Sequence, residues 1–203
     1  LERLELLDLT SALAQAHFPH GWDHQEAARR RLAFDELLML QLWALANRKE
    51  WKVAGSGISL DTETKLVDLF LSSLPFKLTT SQQRVLDEVI TDMEQPVPMN
   101  RLLHGDVGSG KTVVAIAALL KAASHGYQGA LMAPTEILAE QHFFTITDLL
   151  KGIGSATEKD RMVVFQLDLE SNPLSIGLLI GSMSRKQKDE TYSQLAEGKL
   201  DIV

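Results

Sequence analysis

A run of eight residues, Gly105-Asp106-Val107-Gly108-Ser109-Gly110-Lys111-Thr112, has the composition and spacing of a phosphate-binding loop. Its glycines let the backbone curl so that successive N–H groups point at one anion. The Lys111 ammonium can reach the β- and γ-phosphates of a nucleotide, and the Thr112 hydroxyl can take a place on Mg²⁺. The loop therefore predicts binding of a nucleoside triphosphate. The alternative is a glycine turn that joins two core elements.

The segments on either side of the loop fit the same interpretation. Residues 100–104 form a short apolar run that predicts a buried strand leading into the loop. Residues 113–121 are rich in Ala and Leu and predict a helix with a solvated far end. Because free N–H groups and the helix dipole favour an anion, this order of elements places a phosphate at the helix N-terminus.

A glutamine upstream of the loop is suited to recognising a base. The Gln82 amide offers a donor and an acceptor side by side, which match the N6 and N7 edge of adenine. Phe76 precedes it and can cover the ring. The alternative is that Thr79 caps a helix and Gln82 faces solvent.

A third segment, residues 133–141, reads Ala-Pro-Thr-Glu-Ile-Leu-Ala-Glu-Gln and predicts another strand-to-helix turn. In open α/β folds such turns share the edge of the sheet where ligands bind. Backbone N–H groups of the turn and the Thr135 hydroxyl are suited to a phosphodiester. The alternative is an ordinary helix start.

Composition narrows the class of protein. The chain has 203 residues, of which 45% are hydrophobic, enough for a buried core in one or two domains. The absence of cysteine excludes thiol catalysis and disulfides. A net charge of −7 argues against a generally basic nucleic-acid surface, although a few local cations suffice for phosphate contacts. With no secretory pattern and no membrane-length apolar run, we expect a cytoplasmic protein without a membrane partner.

The first part of the chain, residues 1–75, has helical patterns only. Its predicted elements are a short helix capped by Thr10 or Ser11 and ended by Pro19, a long amphipathic helix from Asp23, a loop at 52–57 and a helix at 63–73. Residues 29–31 are three arginines within the long helix. Such a run is typical of a solvated face, and the alternative is contact with a phosphate backbone.

The second part, residues 76–203, alternates helices with strands. Its predicted elements are helices at 79–93, 136–150 and 186–197, and strands at 129–133, 162–165, 176–180 and 200–203. This alternation predicts an α/β fold with a mostly parallel sheet covered on both faces.

Three motifs together resemble a known family. They are Leu74-Pro75-Phe76-x-Leu78-Thr79-x-x-Gln82, the loop followed by Val113-Val114-Ala115, and Ala133-Pro134-Thr135-Glu136-Ile137-Leu138-Ala139-Glu140-Gln141-His142. They are similar to motifs of superfamily 2 helicases and, within these, of the RecG branch-migration DNA helicases. His17-Phe18-Pro19 and residues 28–41 resemble the segment that joins the branched-DNA-binding wedge domain of that family to its motor.

The resemblance implies an ATP-driven translocase on duplex DNA that remodels stalled forks and Holliday junctions in repair and recombination. Its cofactors would be ATP and Mg²⁺, and its partner branched double-stranded DNA at the bacterial nucleoid. The implied organisation is a helical linker at 1–75 and an incomplete RecA-like P-loop domain at 76–203.

By position, the resemblance also assigns contacts. Lys111 and Thr112 would be catalytic, with Thr112 on Mg²⁺. The ATP-binding residues would be Phe76, Gln82, Gly105, Asp106, Val107, Gly108, Ser109, Gly110, Lys111 and Thr112. The residues facing the DNA backbone would be Pro134, Thr135, Glu136, Gln141, Gly181 and Ser182. Ile180 stands where the family usually has Thr, which removes one hydroxyl from the last of these turns.

Two features depart from the family pattern. Residues 151–175 are longer than the family norm and predict a surface insertion. The Asp-Glu box and the second motor domain with its arginine are not in the sequence, so we expect a fragment that binds ATP without hydrolysing it. Two rival classes are a nucleotide-dependent binding module and a small P-loop kinase, which would need an acceptor pocket and a lid.

Overall fold

Two compact units make up the chain, Leu1–Ser56 and Gly57–Val203. The computed structural model describes residues 4–54, 57–61, 63–159, 161–167 and 173–203. Within these ranges, no helix is long and apolar enough to span a membrane.

The first unit consists of helix α1, Leu9–His17, and helix α2, Trp22–Ala54. Helix α1 begins where the Asp8 carboxylate accepts a hydrogen bond of 2.9 Å from the Ser11 N–H. The prediction of Thr10 or Ser11 as the cap is therefore wrong, because a carboxylate just before the helix captures the free N–H groups of the first turn. The helix ends ahead of the proline, as the sequence predicts.

Helix α2 is longer than its sequence pattern predicts. The predicted loop at 52–57 is helical as far as Ala54, and residues 55 and 56 lie outside the described residues. The segment from Lys52 to Ala54 has no glycine or proline, so nothing in it ends a helix that has already formed.

The three arginines of α2 have different surroundings. Arg29 and Arg30 are exposed, as expected for a solvated helix face. Arg31 is buried and pairs with Asp35 one turn later. The run therefore splits into two surface cations and one residue that packs inside the first unit.

The second unit contains the other five helices. They are α3 (Lys65–Ser73), α4 (Thr80–Met93), α5 (Lys111–Ser124), α6 (Glu136–Leu150) and α7 (Arg185–Ala196). Side chains of Thr79, Thr135 and Ser184 accept first-turn N–H groups and so define where three of these helices begin. The predicted helices all appear, with ends shifted by no more than a few residues.

The sheet is mixed. Strands β1 (Gly154–Lys159), β2 (Met162–Leu167) and β3 (Leu174–Gly177) pair antiparallel in the order β1-β2-β3. On the other side of β3 the pairing is parallel, since Ile202 bridges to both Ile176 and Gly129. The α/β class is confirmed, although the described sheet combines an antiparallel hairpin with a parallel edge.

Residues 100–104, which predict a buried strand, have no strand assignment, and the Leu102 side chain is 89% exposed. A strand requires a neighbour, and among the described residues none pairs with this segment. Its position is set instead by Arg101, whose guanidinium donates to Asp92 at 2.8 Å and to Glu88, both on α4.

The described residues of the predicted surface insertion at 151–175 are built into the fold, and residues 160 and 168–172 lie outside the described residues. The insertion begins with a 3₁₀ turn, Lys151–Ile153, and continues as the β1–β2 hairpin. Val163, Phe165 and Leu167 alternate along β2 and are buried in the core. The hairpin therefore contributes apolar side chains to the core as well as exposed surface.

Helix α3 belongs to the second unit. Its buried residues Leu66 and Phe70 share a core with Ile116 of α5. Because this apolar face is covered by α5, α3 packs as part of the compact unit Gly57–Val203, and the predicted domain division at residue 75 stays a prediction.

The far end of α5 is buried, so the prediction of a solvated end is wrong. The Lys121 side chain has no exposed surface, and its ammonium donates to the Asp61 carbonyl at 2.6 Å and to Glu94 at 3.2 Å. The His125 ring contacts the Asp61 carboxylate at 2.6 Å. This hydrogen bond is the main cause that holds the pKa of the Asp61 carboxyl below its ordinary value. These contacts hold the chain before α3 and the end of α4 to α5.

Candidate functional site

The phosphate-binding loop has the backbone shape that its glycines predict. Gly108 has φ +78° and Gly110 φ +80°, in the left-handed region that residues with a Cβ rarely adopt. The Ser109 N–H donates to the Asp106 carbonyl at 3.2 Å and closes a tight turn. Two left-handed residues that flank one serine fold the loop back over the start of α5.

Lys111 lies at the centre of this loop. Its ammonium donates to the carbonyls of Gly105 and Asp106, each at 2.7 Å, and approaches the Ser109 hydroxyl at 3.4 Å. Carbonyl oxygens carry only partial negative charge, so a phosphate is the stronger acceptor for the same ammonium. The loop thus keeps its cation in place with partners that a phosphate can replace.

Helix α5 starts inside the loop. Gly110 is its N-cap residue, and Lys111 and Thr112 are its first two residues. The next two, Val113 and Val114, are buried and fix the first turn against the core. Free N–H groups and the positive end of the helix dipole therefore lie beside the Lys111 ammonium, an arrangement suited to an anion.

Gln82 is tied to the loop. Its Oε1 accepts from the Thr79 N–H at 2.8 Å, which completes a capping box at the start of α4. Its Nε2 donates to the Ser109 carbonyl at 2.9 Å. A Cβ on Gly110 would collide with this Nε2. Both polar ends of the amide are engaged, one within α4 and the other on the phosphate-binding loop.

The remaining predicted nucleotide residues are open to solvent. Asp106 and Val107 are exposed at the outer side of the loop, and the Phe76 ring is 45% exposed ahead of α4. Their exposure leaves them accessible to a ligand. The adenine contacts of Phe76 and Gln82 stay predictions.

The two turns assigned to DNA meet each other. A Cβ on Gly181 would lie 2.5 Å from the Glu136 carboxylate, which shows how closely Glu136 covers this glycine. Lys188 lies on α7, and its ammonium donates a hydrogen bond of 2.5 Å to the Gly181 carbonyl. Thr135 caps α6, because its hydroxyl accepts the Leu138 N–H at 3.3 Å. Residues 134–136 and 181–182 therefore form one exposed surface.

The topology explains why these turns meet. Residues 129–131 and β3 both run parallel to residues 201–203, which lie between them. Since parallel strands end at the same edge of a sheet, the turns that follow them lie side by side. Gln141 lies farther along α6 and is exposed, while Ile180 is buried and supports the second turn from below.

Two contacts at the site are not found from the sequence interpretation. The link from Gln82 to the loop is missed, although the spacing Thr79-x-x-Gln82 is the signature of a capping box and indicates where the amide oxygen points. The contact of Lys188 with Gly181 joins α7 to the second turn, and no short-range pattern in the sequence signals it.

Comparison with known proteins gives the class of this site. The family model described as "DEAD/DEAH box helicase" matches residues 79–196. This range contains the phosphate-binding loop and both turns. The chain belongs to the DEAD/DEAH box helicase family.

The chain is also similar to RecG helicases along its whole length. It is 45% identical over 202 residues to the ATP-dependent DNA helicase RecG of Synechocystis, covering 100% of the chain and 22% of that protein. It is 40% identical over 203 residues to the Thermotoga maritima RecG, covering 24% of that protein. A solved structure of RecG bound to a three-way DNA junction matches with a TM-score of 0.75 at 40% identity, covering 100% of this chain and 25% of that one.

These findings confirm the expected resemblance to the RecG type of DNA helicase. The chain spans about a quarter of the length of the relatives it matches. The RecA-like α/β class of the second unit agrees with both comparisons.

Proposed function

We propose that this chain supplies the ATP-binding part of a RecG-type motor that uses ATP to branch-migrate Holliday junctions and to remodel stalled forks. The observation that carries the proposal is the loop, in which two left-handed glycines enclose the Lys111 ammonium at the start of α5. The similarity to RecG proteins over the whole chain supports the choice of DNA as the partner.

The residues present fit ATP with Mg²⁺. When bound, ATP supplies the phosphoryl group whose transfer drives the motor, and Mg²⁺ offsets its charge. Lys111 would leave the carbonyls of Gly105 and Asp106 and donate to the phosphates. The Thr112 hydroxyl would hold Mg²⁺, a cation that prefers oxygen ligands. The N–H groups of residues 108–112 would surround the β-phosphate.

Adenine recognition by Gln82 would exchange one hydrogen bond for another. The amide nitrogen donates to Ser109, so the base must compete with the loop for it. The amide oxygen is held by Thr79 within the capping box. We propose that the base takes over the Gln82 contacts as the loop closes on the phosphates, while Phe76 covers the ring.

The DNA backbone would lie across the surface formed by residues 134–136 and 181–182. Pro134, Thr135, Glu136, Gln141, Gly181 and Ser182 offer hydroxyl, amide and backbone groups, besides the Glu136 carboxylate that lies over Gly181. Phosphate contacts fix position without reading sequence, so binding would be insensitive to sequence and strongly dependent on salt. Branch preference would come from the wedge domain of the whole protein.

We infer that these 203 residues bind ATP without turning it over. Phosphoryl transfer needs a carboxylate to hold the metal and orient water, and a cation on the γ-phosphate besides Lys111. The motifs that provide both in the family are not in this sequence. The whole protein would act on chromosomal DNA in the bacterial cytoplasm, with residues 1–75 as the linker between wedge and motor.

Titration calorimetry tests the proposal. Mg²⁺-ATP should bind the chain weakly, and Lys111→Ala should lower the affinity by roughly tenfold to a hundredfold, because a charge-assisted hydrogen bond contributes about 1.5–3 kcal/mol. The matched control is Lys151→Ala, an exposed lysine paired with Asp148 on α6. Equal affinities for the wild type and Lys111→Ala would overturn the assignment of the loop. A preference for GTP over ATP would overturn the role of Gln82.

A further inference from the structure

A basic cavity lies beside the β1–β2 hairpin, away from the phosphate-binding loop. It has a volume of about 230 Å³ and is lined by residues of the hairpin, of the segment after β3 and of α7. Three of its lining side chains are cations, Lys159, Arg161 and Lys186, and one, Glu190, is an acid.

The hairpin places two of these cations. Lys159 pairs with Met162 across the end of the ladder, and Arg161 directly precedes Met162, so both cations lie at this end of the hairpin. The Arg161 carbonyl accepts the Leu178 N–H at 2.9 Å. This hydrogen bond fixes the hairpin turn against the segment that leads to Gly181.

The third cation comes from α7. Ser184 starts this helix with a capping box, and Lys186 lies in the first turn. Met183, which also lines the cavity, follows Ser182 directly in sequence and is buried. The cavity therefore adjoins the turn at 181–182, and Met183 separates the two.

The charge of the cavity is positive in a chain whose net charge is −7. Among the residues that the structure describes, no ion pair joins Lys159 or Lys186 to a carboxylate. Arg161 contacts Glu140 at 3.3 Å, with both side chains about 40% exposed, so this pair is weak and leaves other N–H donors of the guanidinium available. Excess positive charge next to the second turn makes a site for an anion.

We propose that this cavity binds a phosphodiester of the DNA strand that passes the turn at 181–182; the inference rests on the proposed function. The volume suits a phosphate group with part of its sugar and is small for a whole nucleotide. Gln187, Thr191 and Gln194 add polar groups to the wall. DNA is the source because the cavity and the turn at 181–182 both border α7, whose Lys188 contacts the Gly181 carbonyl, so one strand can contact both.

The hairpin thereby acquires a function. Its Lys159 and Arg161, together with Lys186 of α7, extend the phosphate-contacting surface beside the turn at 181–182, which Ile180 precedes without a hydroxyl. Each phosphate that a lysine neutralises releases counterions, so these contacts increase the salt dependence of binding by about one unit each in the slope of log K against log salt concentration.

Salt-dependent DNA binding by the 203-residue chain tests the proposal. Fluorescence anisotropy with a labelled duplex compares the wild type with Lys159→Gln/Lys186→Gln. The matched control is Lys151→Gln/Lys199→Gln, which removes the same charge from exposed lysines paired with Asp148 and Glu197. The cavity variant should bind roughly tenfold more weakly at low salt, with a slope smaller by about two, and the control should lose much less. Circular dichroism checks that both variants fold.

Each outcome decides between the inferences. Equal losses in the cavity variant and the control would overturn the cavity site while leaving the proposed function intact. No measurable DNA binding by the wild type would overturn both the cavity and the DNA surface, whereas the Lys111 titration with ATP would still report on the loop. Tight binding of inorganic phosphate to the wild type, with DNA affinity unaffected by the two substitutions, would show a free-anion site and overturn the DNA assignment.

Discussion

Helix α5 has a lysine at each end, and the two ammonium groups are held by similar acceptors in different surroundings. At the first turn, Lys111 donates to two loop carbonyls at 2.7 Å and remains partly exposed. Near the last turn, Lys121 donates to the Asp61 carbonyl and to Glu94 and is completely buried. Ligands and water reach the first ammonium and not the second.

The comparison shows that solvent accessibility determines whether a lysine ammonium of α5 can bind a ligand or only stabilise the fold. A cation whose partners are neutral carbonyls at the surface can exchange them for phosphate with a gain in charge pairing. A buried cation with a carboxylate partner has no such exchange, since removing it from its partners leaves groups that neither water nor ligand can satisfy. The same residue type therefore serves as a ligand at one end of α5 and as an anchor at the other.

The largest expected effect comes from removing the buried ammonium of Lys121. Lys121→Met keeps most of the side-chain volume but leaves Glu94 and the Asp61 carbonyl without their donor, so we expect the free energy of unfolding to fall by roughly 2–4 kcal/mol. Urea denaturation followed by circular dichroism measures it. Lys111→Met is the matched control and should change stability by less than about 0.5 kcal/mol. Equal effects of the two substitutions would contradict the comparison.

A smaller effect on stability is expected from removing the Gln82 side chain, which contacts the phosphate-binding loop at the start of α5. Gln82→Ala removes one half of the capping box and the hydrogen bond to Ser109, which should lower stability by about 1 kcal/mol and speed amide exchange in residues 105–112. Hydrogen exchange with mass spectrometry localises the change. The control is Gln83→Ala, whose side chain donates to Asp87 on the outer face of α4 and not to the loop. Unchanged exchange in the loop would show that Gln82 does not restrain it.

The smallest effect concerns acid pH at the anchored end. Two hydrogen bonds lower the pKa of Asp61 below its ordinary value of 3.8. The hydrogen bond with His125 has the larger effect, and the hydrogen bond from the Glu63 N–H comes next. A depressed carboxyl pKa contributes stability above the unfolded value that is lost as pH falls through the folded value. The advantage of the wild type over Asp61→Asn should therefore shrink below about pH 4.

A titration of the Asp61 carboxyl by NMR measures the same shift directly. In the wild type its midpoint should lie below 3.8, and in His125→Ala it should move up towards that value. A midpoint that His125→Ala does not change would show that the histidine hydrogen bond is not the cause.

The elements that the sequence predicts well have local causes. Helices α4 and α6 begin where Thr79 and Thr135 supply side-chain caps, and both caps can be recognised from a few neighbouring residues. The turn of the loop is predicted for a similar reason, because glycine itself permits the left-handed backbone that the turn needs. The motifs of the site follow from such local rules.

What the sequence does not predict depends on distant partners. An apolar run at 100–104 predicts a strand, but a ladder also needs a neighbour. Lys121 has the pattern of a solvated lysine, and only the fold brings the Asp61 carbonyl and Glu94 to it. The antiparallel hairpin is likewise fixed by pairing across β2, which no periodicity within residues 151–175 determines.

Gly110 is subject to two constraints that are independent of each other. Its left-handed φ disfavours any L-residue with a Cβ, and the Gln82 amide occupies the space which that Cβ would need. Loss of Gln82 removes the second constraint and leaves the first. Substitution at position 82 therefore does not make position 110 tolerant of larger residues, whereas a larger residue at 110 would also require the amide at 82 to move. The two positions are therefore coupled, and the glycine is the more restricted of them, because only one of its two constraints depends on Gln82.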